Sequence, residues 1–147
     1  EQLQSYAQGK GYEVLSTIGA GEGFWVNAAK AWSASPQTAG LQTVESTQFS
    51  ASGTKALPKG WSLIATGDKP TPATFNQSLS LTPPSPGVIP DNLISLWAWE
   101  AEQASWQFYA PSLQRNNTLD SYIQGKGYLS FGGRTISPTT GFWVNRP

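Results

Sequence analysis

The chain has 147 residues, and its nine basic and nine acidic side chains cancel to a net charge of zero. Only 12% of residues are charged, which leaves no electrostatic basis for binding nucleic acid or an anionic membrane. With neither cysteine nor histidine, disulfides, thiol or Ser-His-Asp nucleophiles and the common zinc sites are excluded. Clustered carboxylates of the calcium-binding kind are also missing, so no metal and no cofactor is expected. No stretch reaches the apolar length of a membrane span, so direct membrane insertion is not expected. No signal peptide is visible, and the lack of methionine makes the sequence read as a processed or excised piece.

In chain order, Ser5 to Gly9 reads as the end of a short helix. A strand over Tyr12–Ile18 and a Phe24-Trp25-Val26 strand follow. Gly60 to Gly67 is a short apolar run bounded by glycines, which suits a buried strand. Thr71 can cap a helix with Pro72 in its first turn, placing Phe75 and Leu79 on one face. Four prolines within 82–90 make that stretch a loop. Leu93–Glu100 and Ser105–Ala110 form a hairpin across a four-residue turn, with Trp97 and Trp99 on one face of the first strand and Trp106 and Phe108 on one face of the second. Thr118 can cap a helix over 119–124, with Gly125 as its left-handed stop. A strand over Tyr128–Ile136 and a final Phe142-Trp143-Val144 strand complete the chain, with Trp143 expected in the core. The fold class expected is mainly β, with antiparallel sheets in a sandwich or barrel-like arrangement and one or two short helices.

An internal repeat organises the chain. Residues 3–28 and 119–147 share Ser-Tyr-x-Gln-Gly-Lys-Gly-Tyr and Gly-Phe-Trp-Val-Asn in the same order. Tyr6 matches Tyr122 at an offset of 116, and Gly23 matches Gly141 at 118. The later copy therefore carries two extra residues in its connecting loop. Residues 1–30 read as the end of one copy, 31–47 as a connector and 48–147 as a complete copy. Tyr12–Asn27 and Tyr128–Asn145 should form equivalent hairpins, and residues 1–30 and 119–147 should belong to one compact β unit, with exchange between chains as the alternative.

The order of motifs resembles a Trp-rich repeat of bacterial and archaeal secreted or cell-surface proteins. Its elements are Gly60-Trp61-Ser62-Leu63, Trp97-Ala98-Trp99, Trp106-Gln107-Phe108-Tyr109-Ala110-Pro111 and Gly141-Phe142-Trp143. The resemblance implies an exported, modular setting in which other repeats of the parent protein are neighbours, and it supplies no catalytic residues.

Three functions are compatible with these residues. The first is a non-catalytic extracellular repeat module serving as a structural spacer or an assembly and adhesion unit. The second is a carbohydrate-binding module for a glycan or cell-surface polymer. In that case Trp97, Trp99, Trp106 and Tyr109 would stack on sugar rings while Glu100 and Gln107 bond hydroxyls. A remote third is a glycoside-active enzyme using two carboxylates, although none lies in a recognisable motif. The hairpin aromatics could equally be core.

Overall fold

The computed structural model describes residues 2–25, 47–50 and 56–147. In chain order the elements are α1 (Gln2–Gly9), β1 (Gly60–Ile64), α2 (Pro72–Ser78), β2 (Ser95–Glu100), β3 (Ser105–Tyr109), α3 (Pro111–Arg115), α4 (Leu119–Lys126), β4 (Leu129–Ser130) and β5 (Phe142–Arg146). The strands form one open sheet in the order β1-β5-β2-β3-β4. The mainly β expectation is thus overturned. This is a mixed α/β fold with four helices among the described residues and a single five-stranded sheet, neither sandwich nor barrel.

The chemistry of the connections explains the difference. After β3, Pro111 occupies the first turn of α3, where its fixed φ favours a helix start and its missing N–H costs nothing. Helices α3 and α4 then carry the chain across the sheet end, and β4 returns parallel to β3, as a helical crossover requires. β4 and β5 consequently stand apart in the sheet, with β2 and β3 between them. The second repeat segment is not a hairpin. In the first segment residues 12–20 form no strand, and Val26 and Asn27 lie outside the described residues, as does the connector up to residue 46.

Local expectations fare better where capping chemistry decides. The Thr71 side chain accepts from the Thr74 N–H at 3.1 Å, and the Thr74 hydroxyl accepts from the Thr71 N–H at 2.9 Å. This reciprocal cap starts α2 and delivers Phe75 and Leu79 to the core. Thr118 behaves differently. Its hydroxyl turns back towards the Leu113 carbonyl and makes no cap bond to α4. That helix runs to Lys126, past Gly125, and ends at Gly127 with φ 69°.

The main core lies on one sheet face. Ile64, Leu96, Ala98, Tyr109, Phe142 and Val144 project from the strands and pack with Phe75 and Leu79 of α2 and with Leu57, Leu93, Phe131 and Ile136. A smaller cluster of Phe108, Ala110 and Ile123 fixes α4 against the opposite face at the β3–β4 end.

Candidate functional site

Strand alternation decides what the second face carries, because side chains two apart share a side. Trp97 of β2 stands opposite Phe108 of β3 and Trp143 of β5, and Trp99 stands opposite Trp106. Leu63 stands opposite Trp143, and Trp61 opposite Asn145. Five tryptophans therefore share the face turned away from the main core. A sixth, Trp25, packs edge-on against Trp106 at 5.8 Å. Helix α4 covers only one end of this face, where Trp97 meets Phe108 at 4.5 Å and Tyr128 at 5.0 Å.

The remaining rings are partly open to solvent. Trp61 is 57% exposed and Trp25 53%, while Trp97, Trp99, Trp106 and Trp143 are half-buried. Two expectations change as a result. The strand bearing Trp61 is not a buried strand, since β1 lies at one end of the strand order and turns Trp61 outward. Trp143 is not a core residue, since its position on β5 faces Trp97 and Leu63 rather than α2.

Neighbouring rings stand nearly perpendicular. The interplanar angle is 81° for Trp61–Trp143, 87° for Trp97–Trp106 and 69° for Trp99–Trp106, with centroids 5.2–6.4 Å apart. Such edge-to-face contacts are the favoured geometry for aromatic quadrupoles. The result is a faceted surface, not a flat shelf. The strand-borne side chains of this face are all uncharged: besides the tryptophans they include Leu63, Ser95, Phe108 and Asn145. The Ser95 hydroxyl accepts from the Trp97 indole N–H at 3.0 Å, which fixes that ring.

No family model, no curated protein and no solved structure matches this chain.

The six residues nominated from the sequence do not form one site. Trp97, Trp99 and Trp106 come together on the second face. Glu100 and Gln107 alternate onto the first face, with Gln107 directly opposite the core residue Ala98. They cannot supply hydroxyl partners beside the tryptophans. Tyr109 is buried in the main core and donates to the Gln114 side-chain carbonyl at 2.7 Å. Burial pushes its hydroxyl up from 10.0 to about 12, against a smaller lowering by Asn76. Tyr109 also lines a cleft of about 340 Å³ with Thr71, Phe108, Gln114, Asn117, Asp120 and Phe131, none of them a tryptophan.

Trp61 and Trp143 were absent from the nominated set, although both belong to the face. Their signal was alternation within Trp61-Ser62-Leu63-Ile64 and Phe142-Trp143-Val144, which puts each Trp on the strand face opposite to Ile64, Phe142 and Val144. Among the described residues no helix is long and apolar enough to cross a membrane.

Proposed function

We propose that the chain is a non-catalytic carbohydrate-binding module that uses the partly exposed tryptophan face of its sheet. The observation carrying this reading is that Trp61, Trp143, Trp97, Trp99 and Trp106 share one face and keep partly exposed rings. Exposed contiguous aromatic surface is costly in water unless a ligand covers it. Tryptophan also loses little side-chain entropy when it makes a contact. The lack of charge among the strand residues favours a neutral glycan over an acidic one. The perpendicular rings favour a soluble chain that can twist between facets over a flat crystalline surface.

The test is a titration of tryptophan fluorescence with soluble neutral glucans, xylan and chitin oligomers, paired with affinity electrophoresis. At least one polymer should retard the chain, and Trp61→Ala or Trp99→Ala should weaken binding by about tenfold, on the order of 1.4 kcal/mol. If no neutral polysaccharide shifts either signal, or if both variants bind as the parent does, the reading is wrong. A spacer or assembly role draws its support from different residues, those of the N-terminal segment.

A further inference from the structure

The two repeat segments begin with the same helix and glycine stop but have different surroundings. Gly11 and Gly127 end their helices with φ 71° and 69°. The following Tyr12 and Tyr128 N–H groups donate to Ala7 and Ile123 at 2.8 and 3.0 Å. In the later segment three apolar positions are fully covered, while Tyr122 stays 38% exposed. Phe131 is 6% exposed, Ile136 3% and Phe142 1%, all packed with β2, β3 and α2. Their matches in the earlier segment, at offsets of 116 for the first and 118 for the other two, are Leu15, Ile18 and Phe24. These are 67%, 40% and 46% exposed. Leu3, Tyr6 and Tyr12 are exposed too. Among the described residues the end of the segment touches the rest of the fold: Gly21 accepts from the Ala65 N–H at 2.9 Å, Glu22 bridges Ile64, Gly23 donates to the Leu63 carbonyl at 3.2 Å, and Trp25 meets Trp106.

We infer that residues 3–25 are a docking segment whose partner is a second copy of the unit carrying β1, α2, β2, β3 and α3, the part of this chain spanning residues 48–116. That unit is what buries the matched positions of the later segment. Within this fold it is already filled by residues 119–145, so the earlier segment has the same apolar pattern and no surface left to use. An apolar strip of this extent marks an interface. Its partner is specified by the fit that the later segment displays: Leu15 in the place of Phe131, Ile18 in that of Ile136 and Phe24 in that of Phe142. The inference does not depend on the glycan reading, because it uses none of the strand-borne tryptophans.

The experiment adds a copy of residues 48–116 ahead of Glu1, which sets the added copy at the 116-residue offset, and follows backbone hydrogen exchange. Amides of residues 12–25 should slow by about a hundredfold relative to the parent chain, as the added copy folds with them. Unchanged exchange, or an added copy that stays unfolded, overturns the proposal. In the same longer chain, Leu15→Asp with Ile18→Asp should return residues 12–25 to fast exchange while residues 129–145 keep their protection. Protection that survives both substitutions would equally overturn it.

Discussion

Trp97 of β2 and Trp143 of β5 stand directly opposite each other across neighbouring strands, on the face that α4 leaves largely open. Each also touches a further ring, Trp97 that of Phe108 and Trp143 that of Trp61. The pair joins the covered end of the aromatic face to its exposed end.

A double-mutant cycle should detect that junction. Because Trp143 is half-buried, its replacement by Ala should cost about 1.5–3 kcal/mol, below the roughly 3–5 kcal/mol of a large core aromatic. Trp97→Ala should cost more, since Phe108 and Tyr128 also pack on it. Urea denaturation of the two single variants and the double variant should give a coupling of about 0.2–1 kcal/mol. Strict additivity would mean that the two rings share a face without sharing energy.

Gly11 and Gly127 offer a test of local against global stability. Neither position crowds an added Cβ, so the cost of Ala at each is the left-handed backbone itself, roughly 1–2 kcal/mol. Helix α4 is tied to Phe108 and Ala110 through Ile123, so Gly127→Ala should lower the global unfolding free energy by about that amount. Helix α1 leaves Leu3 and Tyr6 exposed, so Gly11→Ala should fray that helix with little change in the midpoint. Equal midpoint shifts for the two variants would show that α1 belongs to the same cooperative unit.

What could be read from the sequence follows the range of the forces involved. The α2 start was legible because Thr71, Pro72 and Thr74 settle it among themselves. The β2–β3 hairpin was legible because its aromatic alternation and turn are contiguous. The open α/β architecture was not, because it depends on α3, a helix of five residues whose Pro111 also reads as the end of a strand motif. The candidate site was half legible. Parity along β2 and β3 already separates Glu100 from Trp99 and Gln107 from Trp106. Which sheet face would be covered was not legible at all. That depends on where α2 and α4 pack, and no local signal in Trp61 or Trp143 reports it.

Tyr109 predicts an alkaline limit to stability. Its hydroxyl is held neutral in the folded chain, with its pKa raised from 10.0 to about 12 by burial. A group whose folded pKa lies above its unfolded value contributes fully below the unfolded value, and the contribution fades as pH rises towards the folded one. Unfolding free energy should therefore fall between pH 10 and about pH 12. The loss should be about 1–2 kcal/mol, less than the full shift implies because the ring lines an open cleft. Tyr109→Phe should flatten that part of the pH profile. A Tyr109→Phe chain with the same alkaline slope as the parent would assign the loss to other groups.

Deleting the N-terminal residues in two steps separates docked from undocked structure. Leu3, Tyr6, Tyr12, Val14, Leu15 and Ile18 all face solvent, so removing residues 1–20 discards little buried area. Unfolding free energy should change by less than about 0.5 kcal/mol, as for surface changes generally. Extending the deletion through Trp25 removes the Gly23 bond to Leu63, the Ala65 bond to Gly21 and the Trp25 contact with Trp106. That second step should cost about 1–3 kcal/mol, the sum of two backbone bonds and one aromatic pair. Both shortened chains should bind less of a hydrophobic dye than the parent, because the exposed apolar strip is gone. A loss above about 1 kcal/mol on the first step would show instead that residues 2–20 pack on this fold in solution, and the strip would need no outside partner.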